Sequence, residues 1–211
     1  MNNDEIIKFV RLYSLLSEER LINNIESVQY ILDNNIEGDV VEIGVYKGGS
    51  VMSMILSLQR NNEVRNVHLY DTFEGMTEAT DIDTTLNGWH YNDAVKSLPF
   101  WKCESPLEEV TANINLTNYD KTLIHYHVGD IVHTTYFPNK ISLLRLDTDF
   151  YESTKYELEH FYPLVVSGGI IIIDDYGHWN GSRKATDDFL KDKPSIIIHK
   201  IDNEGIYFYK P

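Results

Sequence analysis

A single cysteine, Cys103, is all the thiol in this 211-residue chain. No internal disulfide can form, so the sequence reads as a protein of a reducing compartment. Basic residues are also scarce: 18 lysines and arginines stand against 33 acids, a formal charge of −15. With no basic run to meet phosphates, nucleic acid and anionic membranes are excluded as expected partners. Long hydrophobic runs are absent too, and none reaches the roughly 18 residues a membrane span needs. The first residues, Met-Asn-Asn-Asp-Glu, lack the basic and apolar regions of a secretory signal. A cytoplasmic location is the expectation. What remains, 42% hydrophobic and 24% charged residues, is the make-up of an ordinary globular protein. One domain over residues 1–211 is expected, burying roughly 70% of the surface of its unfolded chain. A homo-oligomer stays open.

Short β-branched runs recur from residue 40 onward and predict strands at 40–45, 66–71, 122–129, 141–147, 169–174, 195–201 and 205–209. Several are continuously apolar, which suits a parallel sheet covered on both faces. Between the first five lie segments that suit helices: 50–60, 108–116 (with Ser105 as N-cap and Pro106 at the first helical position), 153–162 and 182–190. Alternation of this kind predicts an open, doubly wound α/β sheet. Only "DNEG" separates the last two strands, so they form a hairpin and one runs antiparallel. Residues 1–39 differ: apolar residues at helical spacing, with Ser17-Glu18-Glu19 as a helix start, predict two amphipathic helices. Residues 74–107 have weak periodicity and hold Trp89 and Trp101. A stretch of this length is expected to be a lid or acceptor-binding insertion; the alternative is a surface insertion with its own aromatic core.

"VVEIGVYKGGS", residues 40–50, is a strand, a glycine turn and a helix start. Gly44 permits a tight turn, and Gly48 and Gly49 let a ligand approach the backbone. In an α/β sheet a nucleoside cofactor sits at such a turn. Asp71, ending the next strand in "HLYD", is placed to hold two ribose hydroxyls. The spacing is not that of a dinucleotide fingerprint. An acid-x-Gly, a glycine pair and an acid ending the second strand together match S-adenosylmethionine binding in class I methyltransferases.

A second pattern is acidic. Asp147 and Asp149 follow one apolar strand, and Asp174 and Asp175 end "IIIIDD". In such a sheet the fourth and fifth strands flank the first, so Asp147, Asp174 and Asp175 converge beside the cofactor pocket. Two carboxylates about 4 Å apart repel by roughly 4 kcal/mol at an effective dielectric of 20. Arg145 is expected to point away from the faces its neighbours use. A hard divalent cation with oxygen ligands, magnesium above all, resolves the conflict; the alternative is that these acids cap helices or pair with Arg183 and Lys184. Tyr151, Tyr176, His178 and Trp179 border the same mouth, either flanking a sugar ring or simply packing. His125 and His127 alternate on one strand and are expected in core or surface positions.

"GDVVEIGVYKGGS", "DTFEGM", "LLRLDTDFYEST" and "GGIIIIDDYGHW" resemble the macrocin O-methyltransferase family, in order, from about residue 20 to 190. The resemblance implies a Rossmann-like class I methyltransferase: a seven-stranded, mostly parallel sheet with a C-terminal antiparallel hairpin. It implies a magnesium-dependent enzyme that moves the methyl group of S-adenosylmethionine to a hydroxyl of a saccharide acceptor. By the family's pattern Glu42, Gly44, Gly48 and Ser50 surround the methionine part of the cofactor, Tyr46 also belongs to the cofactor site, Asp71 takes the ribose, and Gly129 and Asp130 lie near the adenine. Asp147, Asp174 and Asp175 correspond to the metal ligands and Asp149 to the general base. If the chain is extended there, Asp147 and Asp149 point the same way, so one can bind the metal while the other reaches the hydroxyl. Two rivals remain: a glycosyltransferase using Asp147-Thr148-Asp149 as a metal motif for a nucleotide sugar, and a non-catalytic nucleoside-binding module.

Overall fold

The computed structural model describes residues 1–211, apart from the side chain of Phe100. Its strands are β1 Asp39–Ile43, β2 Val67–Asp71, β3 Ile124–Val128, β4 Ile141–Leu146, β5 Val165–Ile173, β6 His199–Lys200 and β7 Ile206–Tyr209. They form one sheet in the order β3-β2-β1-β4-β5-β7-β6. The first five are parallel. β7 runs antiparallel to β5, and β6 pairs antiparallel with β7. The strand order reverses between β1 and β4, which opens a crevice at their carboxyl ends.

The helices are α1 Asn3–Val10, α2 Glu18–Asp33, α3 Gly49–Arg60, α4 Tyr91–Ser97, α5 Leu107–Asn115, α6 Tyr151–His160 and α7 Asn180–Leu190. α1 starts with a reciprocal capping box between Asn2 and Glu5. Ser17 caps α2 by accepting from the Arg20 amide. Both of these N-terminal helices pack on α3. The start of α5 differs from expectation by one position: Pro106 is the N-cap, in extended conformation, and Ser105 Oγ is buried with no partner. A proline at 106 needs no amide partner there, so the cap role falls to its fixed φ rather than to the serine.

Strand side chains alternate, and each face of the sheet has its own core. Val40, Leu69, Leu143, Ile170 and Ile172 pack under α1, α2 and α3. Val41, Ile43, Leu144, Ile171 and Ile173 pack with Leu158 and Phe161 on the other side. Each such isoleucine or leucine contributes roughly 1.5–3 kcal/mol of burial. The insertion after β2 carries α4 and a short 3-10 turn, Pro99–Lys102. Its Tyr91 joins Phe150 and Trp179 of the main body in a third, small aromatic core, with Met76, Val95 and Trp101 against it.

Candidate active site

A cavity of about 410 Å³ opens at the carboxyl ends of β1, β2 and β4. The parallel strands set its floor through register. Glu42 on β1 pairs with Arg145 on β4, and Arg145 with Ile172 on β5. Residues 42, 145 and 147, and 172 and 174, therefore share one face. Arg145 does not point away from its neighbours, as expected from sequence; parity turns it toward them. Its guanidinium is fully buried. It donates to Glu42 Oε1 at 2.8 Å, to Asp147 Oδ2 at 2.6 Å, and to Asp174 Oδ1.

Asp174 is claimed twice, because Arg20 of α2 donates to its Oδ2. Arg20 also pairs with Asp202 at 3.0 Å and Glu204 at 2.7 Å, tying α2 to the β6–β7 hairpin. Asp174, expected among the metal ligands, is thus drawn away by two arginines. Each of its oxygens accepts from one arginine and keeps a second lone pair. The carboxylates that do converge are Asp147, Asp149 and Asp175, with ligand oxygens all within 4.8 Å of one another. Neither Arg183 nor Lys184 neutralises them: Arg183 lies over the Tyr176 ring, and Lys184 pairs with Asp188. Asp149 has φ 67, in the left-handed region, so the chain turns sharply there rather than staying extended. The turn brings Asp149 in by a different route from the one the spacing suggested.

The cluster is short of positive charge. Burial, followed by neighbouring acids including Asp147, pushes Asp149 up to about 7, despite a hydrogen bond with Asp175. Burial and then Asp149 and Asp147 push Asp175 well above the usual carboxylate range. Asp175 Oδ2 is buried and has no partner. Crowded acids holding protons around an orphaned oxygen fit a hard divalent cation, which replaces the protons and takes up the lone pairs.

The cofactor side follows the glycine turn. Gly44 has φ 83, and a Cβ there would lie 2.0 Å from the Asp147 carbonyl oxygen, so only glycine lets β1 end this close to β4. Asp71 Oδ2 accepts from the amides of Val45 at 2.6 Å and Tyr46 at 3.2 Å. Its Oδ1 accepts from Phe73 at 2.8 Å. Asp71 thus shapes the turn and also faces the cavity. Gly44, Tyr46, Ser50, Asp71, Gly129 and Asp130 line the cavity as expected. Glu42 and Gly48 are not among its lining residues. Glu42 is fully buried beneath the turn against Arg145, and burial pushes it up to about 8 in spite of that arginine. Gly48, φ 87, packs against Ile114 and starts α3.

The rest of the lining comes from the N-terminal segment, to which the sequence reading gave no site role, and from the insertion it expected as a lid or acceptor-binding element. Tyr13, Ser14, Leu15, Leu16 and Arg20 form one wall; Met76, Trp101 and Cys103 of the insertion form another. Arg20 and the buried Asn24, which donates to Ser50 Oγ at 3.0 Å, stand four residues apart and interrupt the mostly apolar stripe of α2, as does Ser27. That break in the stripe was the available signal. Of the four expected mouth aromatics, His178 and Trp179 line the cavity. Tyr151 and Tyr176 face outward, toward Asp188 and Asp187. His178 Nδ1 lies 3.0 Å from Glu204 Oε1, and that contact raises the histidine above its ordinary value.

The reversed strand order, the glycine turn and the acid after β2 define a Rossmann-like class I methyltransferase dependent on S-adenosylmethionine. The family model of the macrocin O-methyltransferases (TylF) matches residues 10–210, and the chain belongs to that family. It is 31% identical over 208 residues to the 8-demethyl-8-(2,3-dimethoxy-alpha-L-rhamnosyl)-tetracenomycin-C 4'-O-methyltransferase of Streptomyces olivaceus, covering 93% of this chain and 75% of that relative. It is 29% identical over 209 residues to the mycinamicin III 3''-O-methyltransferase of Micromonospora griseorubida, covering 93% and 78%. The solved structure of the O-methyltransferase NovP superposes with a TM-score of 0.80 at 27% identity, over 94% of this chain and 82% of that one. The chain is an O-methyltransferase. The reading of Asp147-Thr148-Asp149 as a glycosyltransferase motif gains no support from these relatives. No helix among the described residues is long and apolar enough to cross a membrane.

Proposed function

We propose that this enzyme methylates a hydroxyl of a sugar or glycosylated small molecule and needs magnesium to do so. The observation that carries the reading is the convergence of Asp147, Asp149 and Asp175, together with the buried, partnerless Asp175 Oδ2. Asp147 and Asp175 would hold the cation, which would supply Lewis acidity toward a nearby hydroxyl; S-adenosylmethionine would supply the methyl group.

The chain's own residues do the rest. Gly44 and Asp71 keep the β1 turn open for the cofactor, and Tyr46, Ser50, Gly129 and Asp130 line its cleft. Asp149 accepts the hydroxyl proton. An adjacent cation favours its ionised form, and a weak base suffices for an acidified hydroxyl. Trp101 and Trp179 exclude water, and their flat faces suit a sugar ring. The names of the relatives, which specify sugar positions and glycosylated natural products, support the saccharide class.

The test is methyl transfer from labelled S-adenosylmethionine to mycinamicin III, simple glycosides, a catechol and an amine, in metal-free buffer and with magnesium restored. Turnover that appears only with magnesium and a glycoside is the expected result. Full turnover in metal-free enzyme rejects the cation, and turnover confined to catechols or amines rejects the saccharide.

A further inference from the structure

Away from the acid cluster, on the β2–β3 edge of the sheet, three imidazoles stack. His68 of β2 is opposite His125 of β3 in register, and Tyr70 is opposite His127. The His68 ring lies 4.6 Å from His125 and 5.4 Å from His127, near parallel to both. His127 in turn stacks on Tyr70 at 4.2 Å and on Tyr136 at 4.6 Å. The Tyr70 hydroxyl donates to the Tyr136 carbonyl at 3.1 Å.

The hydrogen bonds run in one direction. His68 Nε2 is 3.2 Å from Asp39 Oδ2, and its Nδ1 is 3.1 Å from His127 Nε2. A carboxylate only accepts, so His68 carries its proton on Nε2 and presents a lone pair at Nδ1. His127 Nε2–H therefore donates to it. His125 Nε2 donates to Asn66 Oδ1 at 3.0 Å, and Asn66 donates back to Asp39 at 3.2 Å. The groups facing His127 are thus Asp39 from β1 through His68, His68 and Tyr70 from β2, His125 from its own strand, and Tyr136 from the following loop. Asp39 is the one anion in this set.

The arrangement admits one extra proton but not two. With one, a single hydrogen still lies between the two facing nitrogens, and the bond holds. With two, both nitrogens carry hydrogens and face each other across 3.1 Å, and the bond is lost. The strand that carries His127 ends one residue later, and Gly129 and Asp130 then line the cofactor cavity, as does Tyr70. The Gly129 amide donates to the Asp71 carbonyl at 2.9 Å, which ties this strand end to the ribose-side acid.

We propose that the relay Asp39–His68–His127 positions the far wall of the cofactor cleft and sets an acid limit on cofactor binding. His68 and His127 are positioning residues, since neither lines the cavity. Burial first, then His68 and His125, holds His127 down to about 4, in keeping with a ring that stays neutral while the wall is in place. The inference rests on reading Gly129 and Asp130 as part of the cofactor site.

The experiment is equilibrium dialysis of S-adenosylhomocysteine at pH 7.5 and pH 4.5, with wild type and His127→Gln. Glutamine keeps a neutral donor toward His68 and removes the titration. The readout is the ratio of the two dissociation constants, so a shifted baseline does not enter it. Each pKa unit of difference between held and released histidine is a tenfold change. The acid-induced weakening should be about tenfold or more greater in wild type than in the variant. Equal ratios overturn the relay. No binding at any pH overturns the cofactor reading instead. Should the variant not fold, nitrogen NMR of the wild-type imidazoles decides. His68 and His127 both carrying hydrogens on each ring nitrogen in step with ligand release supports the relay. His127 titrating near 6.5 while affinity stays constant overturns it.

Discussion

Replacing Arg145 with methionine removes one cation from three carboxylates, and the structure says what each is left with. Asp147 is a quarter exposed and can turn to water. Asp174 keeps Arg20. Glu42 is fully buried and loses its partner, so the main loss falls on it. Removing one partner of a buried ion pair costs about 3–5 kcal/mol. Because Glu42 is pushed up to about 8, it already holds a proton at neutral pH and loses chiefly a buried hydrogen bond to a charged group, which places the expected loss near the lower end, about 3 kcal/mol. For a chain of this size that is a drop in Tm of roughly 6–12 °C. The assay is urea and thermal denaturation of Arg145→Met, Glu42→Leu and the double variant. The double variant has no uncompensated buried acid and should recover about half of the loss, a coupling visible in the cycle. A single variant within about 0.5 kcal/mol of wild type would refute the account of Arg145 as the neutraliser of this floor.

Asp149→Asn should lower turnover by about 100-fold or more, with S-adenosylhomocysteine binding nearly intact in calorimetry; normal single-turnover rates would move the base elsewhere. Asp175→Asn should weaken magnesium binding far more than Asp174→Asn, since only Asp175 offers an unclaimed oxygen; the reverse order in a titration would return Asp174 to the ligand set. Glu157 is buried, accepts only from Thr148, and is pushed up to about 8 by burial. Its proton is kept in the fold after the unfolded chain has lost its own. Its contribution is therefore complete below about pH 4.5 and is lost as pH rises toward 8, by up to roughly 5 kcal/mol. Glu157→Gln should gain stability over wild type at pH 8.5 relative to pH 5; parallel pH curves for the two would contradict this.

Strand positions were readable because β-branched runs bounded by glycine and acid have few other uses, and β1, β2, β4 and β5 fall where those runs lie. The glycine turn was readable for the same reason: Gly44 has a local signature. What the sequence could not convey is pairing across distance. Glu42 and Arg145 are 103 residues apart, and their contact depends on parallel register between β1 and β4. Arg20 is 154 residues from Asp174. No local pattern shows that these two arginines would claim the acid expected to bind metal. The outward turn of Tyr151 and Tyr176 likewise follows from where α6 and α7 begin, which depends on capping by the insertion.

That capping has a further consequence. Asp83, in the insertion, is buried, and its Oδ1 accepts from the Tyr151 amide at the head of α6. A Cβ on Gly181 would lie 2.0 Å from the same oxygen. Thr84 and Thr85 bond the backbone and side chain of Asn180, and Leu86 donates to the His178 carbonyl. The middle of the insertion is therefore a keystone wedged between two helix starts, each of which follows one arm of the acid cluster. Only its flanks, at Gly75, Met76 and Thr77 and at Trp101 and Cys103, line the cavity. Sequence change in the flanks can retune what the mouth admits while the keystone holds the helices apart. Change at Asp83 or Gly181 would reach the acid cluster itself, from a position outside the cavity lining.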